Sequence, residues 1–241
     1  MISIVVPTLC EEKIIGKTLS ALKSQLKMPH EIIVADGGSP DRTVEIATAH
    51  ADHVVVHRGK NRQTIGQGRN DGARVARGEF LVFLDADCSM PDPDQFFRLA
   101  LSNFEKIPDL VALTTFLRFL PENETTSDKL ILGTINLVVL IKNNLLGKGE
   151  VPGGEFQMVR KEAFEKIGGY DESLVTREDR DLFFRLRTVG RTRCDPRLTV
   201  FHTGRRVHTV GWAGMIKLFM VNTFFFHMHG RVRSKEWTPI R

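Results

Sequence analysis

The chain has 241 residues, 41% apolar and 26% charged, enough for one large α/β domain with a packed core. Its three cysteines, Cys10, Cys88 and Cys194, are odd in number and lack Cys-x-x-Cys spacing, which argues against a disulfide framework or a structural zinc site and fits a reducing cytoplasm. The formal charge of +5 is concentrated at the C-terminal end, where ten basic residues from Arg191 onward meet two acids, Asp195 and Glu236; with no nucleic-acid-binding signature beside them, nucleic acid is not expected as a partner.

Residues 2–6 read as an apolar strand that begins almost at once, so a signal peptide is not expected. Helical stretches over 11–26, 41–50 and 64–77 then alternate with strands over 31–35, 53–57 and 79–84. A helix over 94–106 and a strand over 110–119 follow. Strand–helix alternation of this kind predicts an α/β fold with a mostly parallel sheet and right-handed crossovers. The second half is less regular. It reads as a helix over 127–144, a break at Gly153-Gly154, a strand over 156–159 and a helix over 178–189 ended by Gly190. Short strands over 193–194 and 198–202 and a last helix over 211–229 complete it.

The segment Phe80-Leu-Val-Phe-Leu-Asp85-Ala86-Asp87 carries the strongest chemical signal. Its five apolar residues read as a strand buried on both faces, with Asp85 and Asp87 emerging at the C-terminal end, where open parallel sheets bind ligands. Two aspartates one residue apart suit a hard divalent cation that also holds a phosphate-bearing substrate. An Asp-rich turn is the plain alternative. The first strand ends in Pro7-Thr8-Leu9-Cys10-Glu11-Glu12 and the second in Asp36-Gly37-Gly38-Ser39, so three strands deliver polar groups to one edge. Asp36 suits a base or ribose as a hydrogen-bond acceptor, or simply closes a tight turn. Gly66-Gln67-Gly68-Arg69-Asn70-Asp71-Gly72 opens a helix without the Gly-x-Gly-x-x-Gly spacing, which disfavours a Rossmann dehydrogenase. Arg69 there either approaches a diphosphate or is an exposed helix arginine. Asp181 and Arg185, four apart, read as a helical salt bridge.

Taken in order, Pro7-Thr8, Asp36-Gly37-Gly38-Ser39, Gly68-Arg69-Asn70-x-Gly72, Asp85-Ala86-Asp87, Gly168-Gly169-Tyr170-Asp171 and Glu178-Asp179-x-Asp181-Leu182 resemble family 2 glycosyltransferases, from Met1 to about His202. The resemblance implies the GT-A fold, a nucleotide-sugar donor and a divalent metal, Mn²⁺ or Mg²⁺. It implies a nucleotide-sugar-binding half, expected over 1–106, and an acceptor half, expected over 107–208; the residues themselves then read as an apolar, basic C-terminal helix and tail over 209–241. Pro7, Thr8, Glu11 and Asp36 would line the nucleoside pocket. Asp85, Ala86 and Asp87 would meet ribose and metal, with Asp87 the ligand. His202, after a strand, matches a position where some members supply a further metal ligand. Asp179 matches the catalytic base. Arg205 or Arg206, just beyond His202, would add positive charge at the diphosphate. The Gln-x-x-Arg-Trp motif of processive members is absent, which favours adding a single sugar.

Residues 212–229 are strongly apolar but carry Lys217, Asn222, His227 and His229, a poor membrane span. With Arg231, Arg233 and Lys235 they suit a helix lying on an anionic membrane surface, a buried helix, or a homodimer interface. The expected activity is inverting transfer of one sugar to a hydroxyl or a lipid-linked phosphate, with GDP-mannose preferred as donor and UDP-glucose next. A sugar-phosphate nucleotidyltransferase would need a Gly-rich basic loop after the first strand, where this chain has no glycine and two acids. A non-catalytic sugar-nucleotide binder would have no use for Asp179.

Overall fold

The computed structural model describes residues 1–229. Its first part runs β1 (Ile2–Thr8), α1 (Ile15–Gln25), β2 (His30–Asp36), α2 (Thr43–His50), β3 (His53–Val56), α3 (Ile65–Val75) and β4 (Phe80–Leu84). A two-residue β5 (Cys88–Ser89) precedes α4 (Pro93–Lys106), β6 (Leu110–Phe119) and α5 (Thr126–Asn144). Then come β7 (Phe156–Arg160), α6 (Lys161–Lys166), α7 (Glu178–Leu186), β8 (Arg191–His202) and α8 (Arg205–His229). The strands form one sheet in the order β3-β2-β1-β4-β7-β6-β8-β5.

Strand β4 shows why the sheet is covered on both sides. Phe80, Val82 and Leu84 pack into one cluster with Leu19 and Leu22 of α1 and Phe96 and Phe97 of α4. The alternate residues, Leu81 and Phe83, pack into a second cluster with Ala73 of α3, Phe164 of α6 and Leu182 and Phe183 of α7. Helix α3 lies tight on β1 because Gly72 has no side chain; a Cβ there would stand 2.4 Å from Val5 Cγ1.

The parallel expectation holds for β3-β2-β1-β4 and for β6–β8, while β7 runs antiparallel to both of its neighbours. Strand β7 starts beside the C-terminal end of β4, pairing Phe156 with Leu84, and so must run back the other way. The two short strands expected before His202 are one strand. It slips register opposite Thr115 and Phe116, where Pro196 interrupts the donor ladder. Strand β5 and helix α6 were not legible as elements, being two and six residues long. Helix α1 begins at Ile15 rather than residue 11, and α8 begins at Arg205, with its helical path broken at Gly211 (φ 73°). Gly190 ends no helix: α7 stops at Leu186, and Gly190 packs where a Cβ would meet Val111 Cγ1 at 2.3 Å.

Side chains of α3 fasten the first half to the second. Asn70 donates to Tyr170 O and Glu172 Oε1 and accepts from Tyr170 N at 2.9 Å. Arg69, 1% exposed, donates to Asp85 Oδ1 (3.0 Å), Gly154 O (2.8 Å) and Glu178 Oε1 (3.1 Å), with its guanidinium over the Tyr170 ring. Helix α8 is anchored at the start of α5, where Asp128 accepts from Trp212 Nε1 (2.7 Å) and faces His208 Nε2 (3.3 Å). Burial works against the Asp128 charge, but the bonds from Thr125, Trp212 and His208 outweigh it and hold the carboxyl at about 2. Both helices leave apolar residues exposed: Leu130, Leu137 and Ile141 on α5, and Ile216, Phe219, Met220 and Phe224 on α8. The segment Arg205–Phe226 is long and apolar enough to cross a membrane by length and composition. The basic residues Arg231, Arg233 and Lys235 lie outside the described residues.

Removing one member of a buried charge network leaves the others desolvated and unpaired, at about 3–5 kcal/mol. Arg69→Met therefore lowers the unfolding free energy measured in denaturant by about that amount. A loss below about 1 kcal/mol would mean the network carries no weight in the fold.

Candidate active site

The carboxyl ends of β1, β2 and β4 meet one another, and the start of β7 and the end of β8 meet them from the other side. The β5–β8 pairing sets Cys88 opposite His202, which brings His202 and Thr203 against Asp87. Thr203 Oγ1 donates to Asp87 Oδ2, and Arg205 Nε lies 3.3 Å from the same oxygen. Arg205 also donates from both terminal nitrogens to Glu11, each at 3.0 Å, so it joins the β1–α1 loop to Asp87 and to the first turn of α8. Arg206 follows it, half-buried. The His202 ring stands edge-on to Phe119, and burial lowers its proton affinity despite the charges of Asp87 and Asp85. Neutral imidazole is the form that binds metals.

Other expected residues lie nearby but face inward. Both oxygens of Asp36 are taken, by Gly38 N (2.9 Å), Ser39 N (2.7 Å), Ser39 Oγ (2.6 Å) and Thr8 Oγ1 (3.0 Å). Asp36 is fully buried and shapes the turn, with no open oxygen for a base. Ala86 is buried, and its carbonyl accepts from Thr18 Oγ1 at 2.6 Å. Arg69 is not an exposed helix arginine, and its three acceptors leave it as the floor of the site. Pro7 is half-buried opposite Ala35, past the last β1–β4 pair.

The acids gather without enough positive charge to match them. Burial pushes Asp85 up to about 7 and the charges of Glu155 and Asp87 add to this, while Arg69 opposes it. Glu155 is likewise raised to about 7 by burial, with Asp87 and Asp179 adding to the effect. Its Oε2 is buried and has no hydrogen-bond partner. Glu178, at the first position of α7, is pushed up to about 8 by burial and the Asp179 charge, against Arg69. Asp179 is raised by burial, Arg69 and Arg180 opposing, and its Oδ1 accepts from Arg180 N at 2.7 Å. Arg180 in turn chelates Glu150, which also holds Lys142 at 2.7 Å and fixes α7 against α5. Asp181 and Arg185 form the expected salt bridge, at 2.6 Å.

Two site residues escaped the sequence reading. Glu155 stands at the start of β7, flagged only by the two glycines before it. Arg177, just before Glu178, adopts a left-handed conformation (φ 70°) that costs a non-glycine residue about 1–3 kcal/mol. Its guanidinium lies 4.9 Å from the centre of the Phe226 ring on α8, and its Nη1 is buried without a partner.

A cation fits this donor set: Asp85 and Asp87 together at the end of β4, the Asp85 carboxyl driven toward protonation first by burial, and the His202 imidazole, whose proton affinity burial lowers. Among the described residues no three His, Cys, Asp or Glu side chains are drawn together closely enough to hold a metal ion alone. Substrate oxygens and water would complete the shell of Asp87.

Comparison with known proteins identifies the family and the fold. Residues 3–168 match the family model for glycosyl transferase family 2. An uncharacterized glycosyltransferase of Haemophilus influenzae is 28% identical over 189 residues, 77% of this chain, and the chain spans 62% of that relative's length. Among solved structures, a mannosyltransferase from Pyrobaculum calidifontis in complex with GDP-Man and Mn²⁺ aligns over 99% of this chain and 66% of its own, with TM-score 0.73 and 18% identity. Glucosyl-3-phosphoglycerate synthase from Mycobacterium tuberculosis, in complex with Mn²⁺, UDP and glucosyl-3-phosphoglycerate, aligns over 97% of this chain and 81% of its own, with TM-score 0.62 and 19% identity. The sheet is thus that of the GT-A fold, and the chain belongs to glycosyl transferase family 2.

Proposed function

We propose that this chain transfers one hexose from a nucleoside diphosphate sugar to an acceptor oxygen, with inversion at the anomeric carbon. The observation that carries this reading is the pairing of two acidic ends, Asp87 with His202 and Glu178 with Asp179, across the buried Arg69. Asp87 is the cation ligand, with His202 and Asp85 supporting it. A bound Mn²⁺ or Mg²⁺ supplies Lewis-acid neutralisation of the charge that develops on the leaving diphosphate. Arg205, already protonated between Glu11 and Asp87, adds a fixed positive charge to the same oxygens, with Arg206 next to it. Pro7, Thr8, Glu11 and the turn shaped by Asp36 border the nucleoside.

Asp179 takes the proton from the attacking acceptor oxygen. Burial raises its proton affinity toward that of the group it serves, which improves a general base. Its bond from Arg180 N fixes one oxygen and leaves the other for the acceptor. GDP-mannose is the preferred donor and UDP-glucose the second. The neighbour bound to GDP-Man and the neighbour bound to UDP support this order.

The acceptor is a hydroxyl or a lipid-linked phosphate, and Arg177 favours the phosphate. Its unpartnered Nη1, one residue before Glu178, is a ready donor to an anionic acceptor, and the exposed apolar faces of α5 and α8 suit a membrane surface on the cytoplasmic side.

In a thermal-shift screen, GDP-mannose with Mn²⁺ raises the melting temperature more than UDP-glucose does, and chelation removes the effect. Saturating ligand at a hundred times Kd contributes about 2.7 kcal/mol. Asp179→Asn keeps the donor-induced shift and loses about 10²- to 10⁴-fold in transfer rate. Undiminished turnover would place the base elsewhere. In sedimentation with vesicles containing phosphatidylglycerol, the wild-type chain pellets and the double variant Phe219→Glu, Phe224→Glu stays in solution. Equal partition of the two proteins would remove the membrane reading.

A further inference from the structure

Residues 153–155 hold a carboxylate in a costly place. The Glu155 carbonyl accepts from Asp85 N (3.1 Å) and from Cys88 Sγ (3.5 Å), which ties this turn to the loop that carries Asp87. The side chain folds back over Gly153, where a Cβ would stand 2.1 Å from Glu155 Oε2, so the bare glycine makes room for it. Oε1 lies 3.7 Å from His202 Nδ1, and Oε2 is buried with no donor. A buried acceptor of this kind is stable only when something else supplies the hydrogens.

The position of Glu155 limits what that can be. In a single displacement the transferred sugar lies between the diphosphate, held at the Asp87 end, and the acceptor, held at the Asp179 end. Glu155 Oε1 stands 3.7 Å from His202 at the Asp87 end, and the preceding residue, Gly154, is bound through its carbonyl by the same Arg69 that holds Glu178 beside Asp179, which sets Glu155 alongside that line. The groups a sugar presents there are its hydroxyls, and a carboxylate accepts two of them at once.

We infer that Glu155 reads the donor sugar: its carboxylate accepts hydrogen bonds from the hydroxyls of the transferred hexose, orients its anomeric carbon, and selects a neutral hexose over a uronate. This rests on the assignment of Asp87 and Asp179 as the two ends of the transfer. A site built to hydrogen-bond a hydroxyl rejects the analogue lacking it, because its own polar group is left unpaired. The carboxylate of a uronate would meet Glu155, Asp87 and Asp179 as a fourth negative charge.

Calorimetry on the full chain with Mn²⁺ present tests this, using GDP-mannose, GDP alone, and monodeoxy analogues of GDP-mannose, or the UDP-glucose series should that be the donor bound. Glu155→Gln keeps the shape and removes the charge, Glu155→Ala removes both, and Gly153→Ala displaces a carboxylate that is still present. Circular dichroism melts establish that each variant is folded. GDP binding is expected to stay within about twofold of wild type in all three, while GDP-mannose binding and kcat/KM fall about 10- to 100-fold. The preference for GDP-mannose over its deoxy analogues shrinks toward unity in Glu155→Ala. Unchanged sugar-nucleotide binding in folded variants overturns the inference. So does an equal loss with GDP alone, which would make Glu155 a cation ligand. Failure of the parent reading looks different: wild-type protein that binds neither nucleotide.

Discussion

The fold and the site both depend on the buried guanidinium of Arg69. Stripping an arginine of water is expensive, and the structure recovers that cost only by giving it Asp85, Gly154 O, Glu178 and the face of Tyr170. Burial opposes the charge, but the neighbouring acidic groups, Asp85, Glu178 and Asp179 among them, outweigh it and keep Arg69 protonated. Those partners come from the end of β4, the turn before β7 and the first turn of α7. One side chain therefore sets the mutual positions of three acidic segments that lie far apart in the chain.

Arg69 organises these acids but does not neutralise them. Asp85, Glu155, Glu178 and Asp179 all hold protons more tightly than free carboxyls, burial being the largest cause in each. A fold selected for stability alone would replace several of them, since like charges in a low-dielectric setting repel. Their retention, with the strained backbone at Arg177 and the orphaned oxygen of Glu155, marks the region as one whose unfavourable terms are relieved by ligands. On the Asp87 side the relief is cationic, and Arg205 supplies part of it already. On the Asp179 side the raised proton affinity is itself useful, since the group must take a proton.

The first four strands and the helices between them were legible because their apolar runs are short, separate and bounded by polar turns. Asp85 and Asp87 stood out for the same reason, as the first polar residues after a run buried on both faces. Asp179 was legible only through the ordered motif, since an acid in the first turn of a helix is ordinary. The inward orientation of Asp36, Ala86 and Arg69 was not legible, because a residue type at a strand end does not reveal whether its donors come from its own turn. Glu155 was missed for a different reason. Its place beside Asp85 follows from β7 running antiparallel between β4 and β6, and nothing in five residues of strand announces direction. The nearness of His202 to Asp87 depends on β5, which at two residues has no periodicity to detect.

The central claim is that Asp87, in an acidic pocket organised by Arg69, holds the cation that carries the nucleoside diphosphate. Titration of Mn²⁺ into the wild-type chain and into Asp87→Ala, each with GDP present, tests it most directly. The account predicts tight, nucleotide-dependent binding to the wild type and a loss in Asp87→Ala at least as large as the roughly 10- to 100-fold that removal of an outer-shell partner costs at metal sites. Equal Mn²⁺ affinity in the two proteins would contradict it.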